Sequence, residues 1–270
     1  MQNRVGYFYR ATDRLVEMYD DLVQYALNDI VDRIMKTGVI SSTAQYRIFK
    51  LQELGYHLEK IQAYIKKMTK YSDEEINQIF QNAGIFLYKP TMKLIIDNGQ
   101  KEPFSLETSK YIRDVFNYYL SSTKGYVHNL TRTTAKSSQK LLIDKLDQVH
   151  FRVISGMQSY SQAIVEAVKE IGKSDLKVEY PSGHKDNLDV AVRRAVVTGV
   201  NKCYGDLNLI RAKESGYNHV LVSSHLGARH IENPNPEYLS HDIWQGQVYK
   251  VDWNKILVAQ VPNSYGYEGA

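Results

Sequence analysis

The side chains best suited to chemistry gather late in the chain: His225, Arg229, His230, His241 and Trp244, with Gly227 and Gly246 among them. Imidazole is the natural general base at neutral pH, guanidinium clamps anions, and three imidazoles can ligate zinc. The spacing argues against both uses. Intervals of five and eleven residues between the histidines fit no compact metal motif, and no cysteine lies nearby. The nearest carboxylates, Glu232, Glu237 and Asp242, sit in or beside a Pro/Asn-rich insertion. No catalytic residue, metal ligand or cofactor is therefore assigned, and the chain is read as a non-enzyme. Residue type favours a brace: Arg229 and the histidines hydrogen-bond loop carbonyls, and Trp244 anchors the loop to the core. The alternative is an enzyme, nuclease-like or nucleotide-transferase-like, using the His225/Arg229/His241 loop. It requires carboxylates converging on these residues.

A second chemistry is phosphate contact, which needs cations and hydroxyls but no base code. Ser121–Lys140 is rich in Ser, Thr, Lys and Arg, and its Lys124, Arg132, Lys136 and Lys140 are the candidate contacts. The formal charge of +4 arises wholly in residues 1–176, with 24 basic and 20 acidic side chains; residues 177–270 carry ten of each. That excess is smaller than a dedicated DNA-binding domain carries, so any contact with double-stranded DNA is expected to be non-specific. The competing reading of the segment is a solvated loop and helix start. Cys203 stands alone in a helical pattern and reads as a small buried side chain rather than a reactive thiol. Met1–Arg10 lacks the apolar stretch of a secretory signal, and no run approaches the ~20 apolar residues of a membrane span. No membrane is expected, and folding in a reducing cytoplasm is. The 21 tyrosines suit half-buried packing or interfaces, where an apolar ring carries a wet hydroxyl.

The elements that must position these groups are mostly helices. Leu15, Tyr19, Leu22, Val23, Ala26, Ile30 and Ile34 recur at the helical period, predicting a helix from Thr12 or Asp13 toward Gly38. Ser41 or Ser42 caps a second helix expected to end near Gly55. A third carries Leu58, Ile61, Ile65 and Met68 on one face, with Lys60, Lys66, Lys67 and Lys70 around it. Ser72 with Glu75 spells a capping box, predicting a fourth helix ending at Gly84. After an irregular stretch, helical patterns cover Ser105 to Leu120, Thr133 to Ile154 and Ser161 to Ile171. From Lys173 the character changes. Lys177–Tyr180 reads as a strand, Pro181-Ser182-Gly183 as a turn, and Asn187 as the cap of a long helix stopped by Gly216. His219–Ser224, Gln247–Val251 and Lys255–Val261 read as strands. The expectation is a mainly α protein: an extended helical body, residues 1–175, with a smaller α+β C-terminal part, residues 176–270. Arg193 and Arg194 lie about 100° apart on the long helix, so at most one faces a given groove. Gly199, inside that helix, would let another backbone approach closely.

Three stretches carry a resemblance: the Tyr180-Pro181-Ser182-Gly183 turn, the Leu188–Val196 helix with Arg193 and Arg194, and the segment from Gly227-Ala228-Arg229 to His241-Asp242-Ile243-Trp244-Gln245-Gly246. With the Thr37-Gly38 pair, the helix ending at Leu51–Gly55 and the Lys-rich helix after it, they resemble in order the phage minor capsid proteins of the second type, related to Mu-type head-morphogenesis proteins. The resemblance spans nearly the whole chain. It implies a structural head protein of a tailed bacteriophage, associated with the portal or major capsid protein during assembly, present in the virion and passing through the host cytoplasm. Two departures stand out. His230 and an insertion through Ser240 replace the proline that often follows Gly-Ala-Arg. An Asn-Cys-Arg-His-like segment expected after the Gly-rich tail does not follow before Ala270, so the resemblance implies that the 270 residues are a fragment.

Overall fold

The computed structural model describes residues 10–38, 40, 42–87, 109–174, 176–180, 182–221, 245–246, 248–250 and 261–262. Its helices are α1 (Asp13–Met35), α2 (Thr43–Leu87), α3 (Lys110–Ile154), α4 (Tyr160–Ile171) and α5 (Leu188–Glu214). Its strands are β1 (Lys177–Glu179), β2 (Lys185–Asn187), β3 (His219–Leu221), β4 (Val248–Lys250) and β5 (Val261–Pro262). The protein is mainly α, with a small strand-containing C-terminal part. The described residues divide into two compact units, one within Met1–Lys89 and Asp114–Tyr204, the other within Pro90–Arg113 and Gly205–Ala270.

In the first unit α1, α2 and α3 pack lengthwise. The apolar stripe Leu15, Tyr19, Leu22, Ala26, Ile30 and Ile34 of α1 is wholly buried. Cross-helix contacts fix the directions. Tyr19 meets Ser72, Tyr25 stacks on Tyr64, and Asp29 meets His57, so α2 runs antiparallel to α1. Tyr46 meets Asp147, His57 meets Ser138, and Asp73 meets His128, so α2 is antiparallel to α3 as well. Helix α4 closes one end, where Ala163, Ala167 and Ile171 join Ile30, Ile34, Leu142, Leu146 and Val149 in one cluster. It opens on a capping box in which the Ser159 hydroxyl accepts from the Gln162 N–H and the Gln162 side chain accepts from the Ser159 N–H.

Helix α2 is continuous for 45 residues, about 68 Å at 1.5 Å per residue. The expected breaks at Gly55 and Ser72 are both absent. Gly55 is exposed in open space, and its ~1 kcal/mol propensity cost is outweighed by packing on either side. The Ser72–Glu75 pair is not a cap. Ser72 is buried, donates to the Thr69 carbonyl and receives the Tyr19 hydroxyl, while Glu75 pairs with Arg14 of α1. Helix α3 likewise runs unbroken through residues 121–132, where a loop was expected. Its threonines are accommodated because Thr131, Thr133 and Thr134 return their hydroxyl protons to the carbonyls of Val127, Asn129 and Leu130.

The strands β1 and β2 form an antiparallel hairpin with Val178 opposite Asp186. Gly183 takes φ +81 in its turn, the left-handed region that the Pro-Ser-Gly signal called for. The first turns of α5, through Tyr204, pack on the other helices of this unit. The second unit contains the antiparallel sheet β3-β4-β5, with Val220 opposite Tyr249 and Lys250 opposite Val261. Gly216, φ +75, follows α5 as expected.

Candidate functional site

The densest polar chemistry lies between α1, α2 and α3. Asp29 and Arg33 sit one turn apart on the buried stripe of α1. The Arg33 guanidinium grips Asp29 with Nε at 2.6 Å and Nη2 at 3.0 Å, and gives Nη1 to Glu53 of α2 at 2.8 Å. His57, one turn beyond Glu53, places Nδ1 2.7 Å from Asp29 and Nε2 3.0 Å from the Ser138 hydroxyl of α3. Lys60 adds its ammonium to Asp29 at 2.9 Å. Burial pushes the carboxyl of Asp29 up, but the hydrogen bonds from Arg33, Lys60 and His57 outweigh it and hold the group below the usual carboxylate range. Burial dominates at His57 and lowers its pKa. In the neutral ring, Nδ1–H donates to Asp29 and Nε2 accepts from Ser138.

Ser138, His57 and Asp29 thus stand in the order of a nucleophile, base and orienting acid. Chemistry requires that a substrate reach the hydroxyl, and here Ser138 and His57 are both fully buried. The Ser138 proton also lies within reach of the Ala135 carbonyl at 2.8 Å. Two cavities on the described surface lie elsewhere: one of about 590 Å³ beside α4, including Met157 and Val165, and one of about 140 Å³ between α1 and α2, including Met18 and Tyr64. The geometry therefore describes a clamp joining three helices. A second clamp lies toward α4. Tyr46 donates to Asp147 at 2.6 Å and stacks on His150, and Lys50 reaches the same carboxylate at 2.7 Å. Nearby, Glu170 of α4 is held by Lys145 and Arg152 of α3.

The residues singled out from sequence are placed as follows. Arg193 and Arg194 do face different ways. Arg193 reaches back to Thr12 and Asp13 at the start of α1, at 3.0 and 2.8 Å, and Arg194 holds Asp186 of the hairpin at 2.8 Å. Gly199 marks a close approach, but by the Thr123 side chain of α3 rather than by backbone: an added Cβ would lie 3.1 Å from the Thr123 Cβ. Cys203 is buried. Arg132, Lys136 and Lys140 are exposed one turn apart along α3, whereas Lys124 is half-buried and about 80° around the helix from Arg132. Gly246 takes φ +69. Pro181, His225, Gly227, Arg229, His241 and Trp244 lie outside the described residues, and with them the loop of the enzyme alternative. Among the described residues, no group of three or more His, Cys, Asp or Glu is arranged to hold a metal ion, and no helix is long and apolar enough to cross a membrane.

Sequence reasoning passed over the Asp29–Arg33–Glu53–His57 clamp. A signal was present, because Asp29 and Arg33 fall between Ala26, Ile30 and Ile34 on the stripe that must face inward. A charged pair at i,i+4 on an apolar face needs partners from a neighbouring helix.

Comparison with known proteins agrees with this picture. The chain is 21% identical over 197 residues to a protein of Lactococcus phage LL-H described as a structural protein. The match takes in 70% of this chain and 53% of the relative, so the chain spans about half of the relative's length. No solved structure matches it. The family model described as phage minor capsid protein 2 matches residues 6–267, and the chain belongs to that family.

Proposed function

We propose that the protein is a non-catalytic structural component of the phage head, docking on the portal or the inner capsid surface during assembly and remaining in the virion. The observation that carries this reading is the family match from residue 6 to 267. The chemistry of the described residues supports it. The buried ionic groups at the junction of α1, α2 and α3 join one helix to another, as a strut requires, and the Ser138–His57–Asp29 trio there is buried. Contact with packaged DNA is the second part of the proposal. Arg132, Lys136 and Lys140 motivate it, being exposed on one line of α3.

The test is multi-angle light scattering of the purified chain mixed with the portal protein of the same phage, alongside mass spectrometry of purified virions. A complex of fixed stoichiometry and presence in virions are expected. Absence from virions together with no complex at micromolar concentration overturns the reading. His241→Ala, in a chain that still folds, is expected to leave infectivity unchanged; loss of infectivity with intact head assembly would favour the enzyme.

A further inference from the structure

We propose that the outer groove between α2 and α3 is a sequence-blind interface for the backbone of duplex DNA, built from Lys66 and Lys70 of α2 together with Arg132, Lys136 and Lys140 of α3. This rests on the head-protein reading above and extends the DNA contact onto a second helix. Its starting point is where acid is missing. From Asp114 to Asp144, α3 has no carboxylate, and from Glu59 to Asp73, α2 has none either. The register of the antiparallel pair brings these stretches level. His57 meets Ser138 at one end and Asp73 meets His128 at the other, with Ile65 and Ala135 in one cluster between them. Lys66 and Lys70 therefore lie level along the pair with the turn that carries Arg132.

Some cations of this unit are committed to carboxylates, whereas others, Lys36, Arg47 and Lys67 among them, join no ion pair among the described residues. Lys50, Lys60, Lys145, Arg152, Arg193 and Arg194 are each tied to a carboxylate. The five ridge residues are exposed, and none joins an ion pair among the described residues. Asp73, the carboxylate that ends the acid-free stretch, is held by His128. Helix α1 fills the opposite side of the α2/α3 pair, and its exposed face carries Glu17, Asp20, Asp21 and Asp32. The unit is thus polarised, with a basic side that can approach a polyanion and an acidic side that must turn away from it.

The surroundings select the polyanion. Among the described residues, no large hydrophobic side chain is exposed within 57–70 or 127–150, while the rings of Tyr56, Tyr71 and Tyr126 are exposed at the borders of those stretches. A protein interface needs an apolar centre and a membrane surface needs apolar insertion. A hydrated duplex backbone needs neither. From Arg132 to Lys140 the ridge covers about 12 Å, the rise of three or four base pairs at about 3.4 Å each.

The experiment is fluorescence anisotropy of a labelled duplex of about 20 base pairs titrated with the full chain between 50 and 200 mM salt, for two unrelated sequences. If each ridge cation meets one phosphate, the log–log salt slope is about −4.5, a loss of roughly 500-fold over that range. The double variant Lys66→Gln/Lys70→Gln is expected to reduce the slope to about −2.7, roughly a 40-fold loss, equally for both sequences. Lys173→Gln, just past the end of α4, is expected to leave the slope unchanged. An unaltered slope in the double variant, no binding at 50 mM salt, or equal affinity for vesicles of anionic lipid overturns the proposal. Portal binding measured on the same preparation separates the failures. If it survives, the interface alone is wrong; if it is lost too, the head-protein reading falls with it.

Discussion

Gly199→Ala separates helix propensity from packing, because the two act in opposite directions at this position. In an isolated helix the change is worth about 1 kcal/mol in favour of alanine. Here the new Cβ would overlap the Thr123 hydroxyl and lie 3.1 Å from Thr123 Cβ and 3.2 Å from its Cγ2. Favourable carbon–carbon separations are about 3.5–4.0 Å. Rotating χ1 of Thr123 moves the hydroxyl but not its Cβ, and Thr123 is buried, so α3 and α5 must separate by several tenths of an ångström. Overpacking of this kind costs about 1–3 kcal/mol, leaving a net destabilisation of roughly 1 kcal/mol after the propensity gain. Urea unfolding followed by helical circular dichroism reads it as a lower midpoint. The double variant with Thr123→Ala removes the two outer atoms and is expected to show a coupling of about 1 kcal/mol between the sites. A Gly199→Ala chain as stable as the parent, or more stable, refutes the close approach.

Removing Arg33 by Arg33→Ala leaves Asp29 and Glu53 buried with their main cation gone, and the same titration is expected to show a loss of about 3–5 kcal/mol; less than about 1 kcal/mol would mean the clamp is solvated. The pH dependence follows from pKa values lowered at two histidines, His57 and His150, and at four carboxylates, Glu170, Asp29, Asp147 and Asp186. These outnumber the carboxyls raised by burial, Asp20 and Glu214. The hydrogen bonds from Lys145 and Arg152 lower Glu170; burial lowers His57; at Asp29 and Asp147 burial pushes upward, but hydrogen bonds from neighbouring cations and from His57 and Tyr46 outweigh it. Each lowered group binds fewer protons folded than unfolded, so stability is full above the ordinary histidine value of about 6.5 and falls on acidification, first through His57 and His150 and then, below about 4.5, through the carboxylates. Midpoints measured from pH 8 to 4 should fall, and His57→Gln should flatten the upper part; a rise between pH 7 and 5.5 contradicts the assignment. Ser159→Ala removes a working cap and should cost about 1 kcal/mol, whereas Ser72→Ala should leave α2 continuous in hydrogen-exchange protection, with no new fraying at residue 72.

What was legible in the sequence was periodicity on a single face. α1, α4 and α5 were readable because each buries one apolar stripe, and Asp13, Gly172 and Gly216 fall where the pattern stops. The breaks expected at Gly55, Ser72 and residues 121–132 came from local signals that packing overrode. Capping boxes and threonine-rich turns are local alternatives to helix, and a neighbouring helix that offers a partner decides between them. Tyr19 and Arg14 do so for Ser72 and Glu75. The strand β2 was invisible because Lys185-Asp186-Asn187 has no strand-forming residue. The hairpin holds it through the Gly183 turn and through Asp186, which is fixed by His184 and Arg194. The line Arg132, Lys136 and Lys140 was visible as spacing. Its junction with Lys66 and Lys70 depends on the register of two helices far apart in sequence, which no local window contains.

Register is also the problem that the buried clamp solves. Helices of 45 residues whose facing sides repeat at three- and four-residue intervals can slide by a turn or a heptad and still match apolar to apolar. Along much of α3 the inner face is mostly small, with Thr123, Val127, Thr131, Thr134 and Ser138 buried around Leu130. Dispersion alone separates such alignments weakly. The polar set does not slide. Moving α2 by one turn, about 5.4 Å, would take His57 from Asp29 and Ser138 and Glu53 from Arg33. Ionic groups would then face carbon, at a cost of several kcal/mol. The Tyr46–Asp147 bond and the Asp73–His128 pair fix the same alignment on either side of the junction. Burying charge adds little to net stability and much to uniqueness. That trade suits a protein whose use depends on presenting fixed surfaces at fixed distances, and it accounts for a Ser–His–Asp line with no route for a substrate to reach it.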